Sequence, residues 1–326
     1  MIIYDLIFKR SFCQIYANSV TLLNVIIPIN KLRKIMKMKK KNLDKDVRKN
    51  LPGTFIELED GTVHYQIGGP LEGEPIILVH GFSCPMFIWD PTYNFLVAQG
   101  FRVLRYDLFG RGYSDRPKVK YNEKLFDQQL HQLIEKLQFN KNGKKNTVIG
   151  LSMGGIITVN YADNHPEFVK RLVLVDPAGF PTGKKLIPGI MKIPFLNKLM
   201  FKYVGSKRLV SKLHNDFLHP ENFPMFEISY KEQMEYSGFL RAILSTMLKL
   251  NMESAQATYE RVGKTNIPIL LIWGELDETI PYHVHQQVCD VIPHIEFHSI
   301  QKAKHLPHYE QSDEVNEILL KFLHKN

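Results

Sequence analysis

The segment Gly150-Leu151-Ser152-Met153-Gly154 sets a serine two residues from a glycine on either side. The short apolar run 147–149 precedes it, and a stretch of helical length, 156–164, follows it up to Pro166. Strand, sharp turn and helix is the setting in which a G-x-S-x-G serine becomes a nucleophile. The turn forces the serine backbone into a sparsely populated conformation, and a side chain at 150 or 154 would collide with neighbouring backbone. The following helix N-terminus offers N–H groups to developing negative charge. A serine hydroxyl is a weak nucleophile near neutral pH, so this chemistry also requires a base and a carboxylate to hold that base in one tautomer. Taken alone, the pentapeptide equally suits a Gly-rich βα turn of a nucleotide-binding fold. Thirteen histidines compete for the role of base, and Asp176 and Asp277, each at the end of an apolar run, compete for the role of acid.

The elements that must position these residues are legible as hydrophobic runs. A hairpin is expected from 54–59 and 62–67, because Asp60-Gly61 suits a tight turn with positive φ. Apolar runs follow at 76–79, 102–106, 147–149, 172–175, 269–273 and 295–299, separated by polar stretches of helical length. This pattern predicts an α/β fold whose mostly parallel sheet carries helices on both faces. The stretch between 175 and 269 lacks a core strand and reads as helical. Residues 180–264 are therefore expected to form an inserted helical cap over the sheet's C-terminal edge, where open α/β sheets bind ligands. The core then comprises 50–179 and 265–326.

His80-Gly81-Phe82, Asp107 with Gly110-Arg111-Gly112-Tyr113-Ser114, Gly150 to Gly155, Trp273-Gly274-Glu275-Leu276-Asp277, and His305 with Glu310 occur in the order that resembles capped α/β-hydrolases. The resemblance spans about 50–326 and points to the branch of esterases, lipases and carbon–carbon-bond hydrolases. It implies Ser152 as nucleophile, His305 as general base and Asp277 as orienting acid, with Asp176 and His308 as the alternative acid and base. It also implies an oxyanion hole made by the backbone N–H groups of Phe82 and Met153, with His80 as a hydrogen-bonding residue. The loop from Asp107 to Pro117 is expected to be structural, since its Gly-Arg-Gly run lacks the Lys-Ser/Thr of a phosphate loop. Most relatives carry glycine before the catalytic histidine, whereas this chain has Lys304. An inward lysine would lower the imidazole pKa, and a solvent-facing one is expected.

The implied activity is hydrolysis of a carboxylic ester, including a lipid-like one, through an acyl-enzyme. A carbon–carbon-bond hydrolase using the same triad, and a non-catalytic binding member of the fold, are the alternatives. Ser152 excludes dehalogenase and epoxide-hydrolase chemistry, which needs a carboxylate at that position. No metal or organic cofactor is implied.

Composition limits the partners. The net charge of +9 resides in residues 1–49, which hold twelve Lys/Arg against three acids, while the remainder carries 30 of each. The body is electrically balanced, so a nucleic-acid partner is not expected. The three cysteines show no metal or disulfide spacing, in keeping with a reducing compartment. Residues 1–49 read as a basic leader, disordered or membrane-associated. The uncharged stretch 11–30 is too rich in Asn, Ser and Thr for a convincing span and is interrupted by Pro28. Lys184, Lys185, Lys192, Lys198, Lys202, Lys207, Arg208 and Lys212 alternate with apolar residues and no acids. That stretch suits an anionic lipid surface or a substrate with an acidic head group, or else plain packing on the core with the lysines in water. A cytoplasmic or peripherally membrane-associated location is expected.

Overall fold

The computed structural model describes residues 40–140, 143–183 and 194–325. Most of the expected leader, and Lys184, Lys185 and Lys192 of the basic stretch, lie outside them.

Eight strands form one sheet: β1 Thr54–Glu57, β2 Thr62–Gly68, β3 Pro75–Val79, β4 Arg102–Tyr106, β5 Asn146–Leu151, β6 Val169–Val175, β7 Ile269–Gly274 and β8 Glu296–Ile300. Their spatial order is β1-β2-β4-β3-β5-β6-β7-β8. β1 and β2 form the expected hairpin, β2 meets β4 antiparallel, and all pairs from β4 to β8 are parallel. Every residue of β3, β5 and β7 is buried, as strands covered on both faces require. Alternate residues of β3 serve opposite faces: Ile77 and Val79 join one core, Ile76 and Leu78 the other.

The helices are α1 Lys45–Arg48, α2 Asp90–Ala98, α3 Glu123–Lys136, α4 Met153–Asn164, α5 Pro194–Asn215, α6 Pro224–Glu232, α7 Phe239–Lys249, α8 Gln256–Val262, α9 Val284–Val291, α10 Pro307–Glu310 and α11 Ser312–Leu323. α3 shows why they form. Asn122 caps its first turn by accepting from the Leu125 N–H at 3.2 Å, and Phe126, Leu130, Leu133 and Ile134 bury one stripe.

The chain leaves β3 towards β4 on one side and reaches β5 on the other, so the sheet changes direction between β3 and β5. That crevice, at the strands' C-terminal ends, is where this architecture places ligands. Phe82 follows β3 and Ser152 follows β5, so both stand at it.

Two parts of the expected domain layout differ in detail. Residues 41–49 are not leader-like: Lys41 N–H donates to the Glu235 carbonyl at 2.9 Å, Ser237 N–H to the Lys41 carbonyl at 2.8 Å, and Arg48 pairs with Asp115 at 2.5 Å. Their basic composition concealed partners distant in sequence. Within 180–264, α8 packs with the core helices, since the Tyr259 hydroxyl donates to the Ala178 carbonyl at 2.7 Å and Arg261 pairs with Asp163 on α4. α5, α6 and α7 are the segments left as the proposed cap. Among the described residues no helix is long and apolar enough to cross a membrane.

Candidate active site

Ser152 stands between β5 and α4 with φ 53° and ψ −118°, a conformation few non-glycine residues hold. Its own N–H donates to the Val175 carbonyl at 2.9 Å, and its carbonyl accepts from Gly155 and Ala178. The bend is thus fastened on three sides. A Cβ on Gly150 would lie 2.4 Å from the Gly154 carbonyl oxygen, and one on Gly154 would lie 2.3 Å from that of Val79. These glycines let β3, β5 and the start of α4 approach closely enough to raise the serine into the crevice.

His305 and Asp277 arrive from the loops after β8 and β7. His305 Nδ1 lies 2.7 Å from Asp277 Oδ2, and both side chains are buried. A carboxylate accepts, so Nδ1 carries the proton and Nε2 is left as the basic nitrogen of the neutral ring. Asp277 Oδ1 accepts from the Thr279 N–H at 2.7 Å and the Ile280 N–H at 3.1 Å, which locks its orientation. Burial by itself lowers the His305 pKa, but the Asp277 charge and hydrogen bond outweigh it and leave the imidazole raised above its ordinary value.

Ser152 and His305 line one cavity of about 60 Å³, whose apolar wall includes Phe82, Leu151, Leu209, Leu213 and Leu306. Lys212, Asp216 and Thr279 supply its polar groups. A larger cavity of about 310 Å³ opens beside His64, Arg105 and Asp107, without Ser152. Four of its charged groups are already paired: His64 Nδ1 meets Asp107 Oδ2 at 2.7 Å, and Arg105 pairs with Asp90 while also holding Gln66. Size and reactive chemistry therefore point to different cavities, and the smaller one holds the nucleophile-type serine.

Two rival histidines are committed elsewhere. His80 Nε2 accepts from the Leu108 N–H at 2.9 Å, and Nδ1 donates to the Gly81 carbonyl at 2.9 Å. Complete burial lowers its pKa to about 4, so it is a neutral tie between two loops. His308 Nε2 donates to the Ile88 carbonyl at 3.1 Å, its ring packs on Trp89, and burial lowers its pKa to about 3. Asp176, the alternative acid, is buried against the Asp277–His305 pair, with one carboxylate oxygen of each aspartate and one imidazole nitrogen all within 4.8 Å of one another.

The loop after β4 holds the floor of the crevice. Asp107 accepts from His64, the Met86 N–H and the Tyr113 N–H, and although burial acts the other way, its pKa falls to about 2 through His64 and these donors. The amide N–H groups of Phe82 and Met153 have no protein acceptor among the described residues. Lys304 does not turn on the imidazole: its ammonium lies 4.0 Å from Glu278, partly sheltered rather than free in solvent. The cation that does act on His305 is Lys212, opposed by Asp216. Neither residue announced itself in the sequence as a site residue. Thr279, two positions after Asp277, had a local signal in the turn it makes with that carboxylate, and its hydroxyl donates to Asp216 at 2.5 Å.

The alpha/beta hydrolase fold model matches residues 74–312. Lipase 1 of Psychrobacter immobilis is 26% identical over 300 residues, covering 88% of this chain and 87% of that one. A 2-hydroxy-6-oxononadienedioate/2-hydroxy-6-oxononatrienedioate hydrolase of Pseudomonas sp is 24% identical over 290 residues, covering 82% and 95%. Among solved structures, an enol-lactonase from Burkholderia xenovorans shares the fold with a TM-score of 0.70 at 20% identity, covering 83% of this chain and 100% of that one. An esterase from Exiguobacterium antarcticum does so with a TM-score of 0.70 at 20% identity, covering 84% and 100%. With the sheet order, the crevice and these likenesses in place, the chain belongs to the alpha/beta hydrolase fold family and is a hydrolase.

Proposed function

We propose that the protein is a serine hydrolase that cleaves carboxylic esters through an acyl-enzyme. The observation that carries this reading is the buried 2.7 Å contact between His305 Nδ1 and Asp277 Oδ2, on an imidazole that shares a cavity with Ser152. Ser152 Oγ attacks the ester carbonyl carbon while His305 Nε2 takes its proton. The new oxyanion is received by the N–H groups of Phe82 and Met153; losing one side-chain donor of comparable role costs about 3–4 kcal/mol in known examples. Collapse breaks the bond to the alkoxide oxygen, which takes the proton held on His305 Nε2 and leaves as the alcohol, and water repeats the cycle on the acyl-enzyme to release the acid and restore Ser152. The names of two relatives, Lipase 1 of Psychrobacter immobilis and Lipase 3 of Moraxella sp., support an ester substrate.

A second reading, carbon–carbon bond cleavage on a vinylogous diketone, is favoured by the relative from Pseudomonas sp. The same three groups serve both reactions, so substrate turnover separates them.

Two assays test the proposal. A fluorophosphonate probe is expected to label the wild type and not Ser152→Ala; no labelling of the wild type, or equal labelling of both, overturns it. Hydrolysis of p-nitrophenyl esters is expected to favour short acyl groups, because a cavity of about 60 Å³ holds only a few heavy atoms. A preference for palmitate over acetate and butyrate defeats that size limit, and turnover of a vinylogous diketone with all esters inert favours the second reading.

An anionic lipid surface is the peripheral partner we propose. Met225 and Ile228, 65% and 60% exposed, lie three residues apart on α6, and Lys207 and Arg208 are exposed on α5. Co-sedimentation with phosphatidylserine vesicles, lost in Met225→Ser/Ile228→Ser, is the expected result; equal sedimentation of both proteins defeats the assignment.

A further inference from the structure

Asp176 closes β6 and takes no part in the proton transfers described above. Its side chain is wholly buried and its φ is 41°, in the left-handed region. The surroundings hold it there: its N–H donates to the Ile272 carbonyl at 3.0 Å, and Oδ1 accepts from the Gly274 N–H at 2.9 Å. Oδ2 is buried and receives no hydrogen from any described protein group.

What Asp176 does face is another acceptor. One of its carboxylate oxygens lies within 4.8 Å of one of the Asp277 carboxylate, whose Oδ1 already accepts two N–H groups and whose Oδ2 accepts from His305. Two ionised carboxylates buried side by side would set like charges against each other at low dielectric. One proton removes the conflict. Placed on Asp176 Oδ2, it supplies the missing donor, and both carboxyl groups are then satisfied. Placed on Asp277, it would spend that side chain's capacity to accept from His305.

We infer that Asp176 is an un-ionised carboxylic acid that donates its proton to Asp277 and so fixes the carboxylate on which the His305 ring is seated. It is a positioning residue. Burial, followed by the nearby Asp277, raises its pKa well above the ordinary carboxylate range, in agreement with that state. The groups that bear on it are Asp277 and His305, from the loops after β7 and β8, the Gly274 amide, and Asp216, which follows α5. By holding the second lone pair of Asp277, the Asp176 proton also weakens that carboxylate as a base, so the Nδ1 proton stays on the imidazole when the ring becomes charged.

The catalytic consequence rests on the Ser-His-Asp reading, but the position of the proton does not, and the tests separate the two. Infrared difference spectra of wild type against Asp176→Asn at neutral pH are expected to show the carbonyl stretch of an un-ionised carboxylic acid in the wild type alone. Absence of that band overturns the inference whether or not the enzyme turns over an ester, as does a stoichiometric divalent cation in the purified protein. For activity, Asp176→Asn keeps a donor towards Asp277 and an acceptor for Gly274, so it is expected to recover most of the kcat that Asp176→Ala loses, with the acid limb of the pH profile not displaced. Asp176→Ala removes the donor, and kcat is expected to fall roughly 10- to 100-fold with KM little changed. If Asp176→Asn loses as much activity as Asp176→Ala, the native group is an ionised carboxylate and the inference fails. Should the alanine variant not fold, the asparagine variant and the infrared band still decide. Failure of the wild type to react with a fluorophosphonate would instead strike the serine-hydrolase reading and leave the infrared result standing.

Discussion

Arg111, from the loop after β4, donates through Nε to the carbonyl of Phe82 at 2.8 Å, on the loop after β3. Its remaining donors reach the Phe109 carbonyl at 3.0 Å and the Thr246 hydroxyl on α7 at 2.9 Å. The guanidinium is completely buried, which lowers its pKa to about 9. It pins Phe82, whose N–H in the preceding peptide is one proposed oxyanion donor, to α7 of the proposed cap. Displacement of a reacting geometry by about 1 Å costs roughly 100-fold. Arg111→Met is therefore expected to lower kcat by roughly 10- to 100-fold with a smaller change in KM. Arg111→Lys should not restore it, because one ammonium cannot replace a planar fork with three separated acceptors. Steady-state kinetics on p-nitrophenyl butyrate checks this, and a folded methionine variant with wild-type kcat refutes it.

The backbone at Ser152 holds φ 53° and ψ −118° at a cost of about 1–3 kcal/mol for a residue bearing a Cβ. Glycine removes most of that strain, while its greater freedom in the unfolded chain returns about 0.5–1 kcal/mol of it. Ser152→Gly is thus expected to be inactive yet more stable than Ser152→Ala, which loses the hydroxyl and keeps the strain. Urea unfolding midpoints of the two variants provide the comparison. An alanine variant as stable as the glycine variant would mean that the strain at this turn is no larger than glycine's entropy cost of about 0.5–1 kcal/mol.

The proposed role of His305 as base requires a neutral ring, and its pKa is raised above the ordinary 6.5. The acid limb of kcat/KM is therefore expected to have its midpoint above 6.5, with activity rising as pH rises through it. Asp216 raises the imidazole and Lys212 lowers it. Asp216→Asn should move the midpoint down, and Lys212→Met should move it up. The stability contribution runs the other way. A histidine whose folded pKa is raised stabilises fully below its unfolded pKa and loses that contribution as pH rises through the folded value. Activity and the His305–Asp277 contribution thus change in opposite directions across the same window. A midpoint at or below 6.5 would show that burial, not Asp277, dominates the ring.

The strands were legible because a buried parallel strand has to be apolar along its whole length: the runs at 76–79 and 269–273 each fall within one residue of an observed strand. Ser152 was legible because its turn demands glycines at 150 and 154, a requirement written locally in the chain. Asp216 was not. Its hydroxyl donor, Thr279, is 63 residues away, and no pattern in a charged amphipathic helix says which turn faces the sheet. Asp176 and Asp277 stood as rivals because each ends a strand of the same edge, β6 and β7 being neighbours. Sequence presents as alternatives two side chains that the sheet sets side by side.

Lys304, where the resemblance drawn from the sequence leads one to expect glycine, carries the last prediction. The non-glycine residues with positive φ are Gln138, Ser152, Asp176 and Lys302 among those described, and Lys304 is not one of them. The left-handed position of the turn after β8 is thus Lys302, with φ 56°. A glycine at 304 answers no backbone demand in this chain. It would add about 0.5–1 kcal/mol of unfolded-state entropy and remove the ammonium beside Glu278. At 302, glycine relieves about 1–2 kcal/mol of left-handed strain against that same entropy cost. Lys302→Gly is therefore expected to raise the urea midpoint slightly and Lys304→Gly to lower it, with the Gln311 contact to the 302 carbonyl preserved in both. The two substitutions differ by two positions in one turn, so opposite signs cannot arise from charge alone. If Lys304→Gly is the stabilising one, the turn carries its strain next to the histidine, and the ring of His305 is held by a different backbone from the one described here.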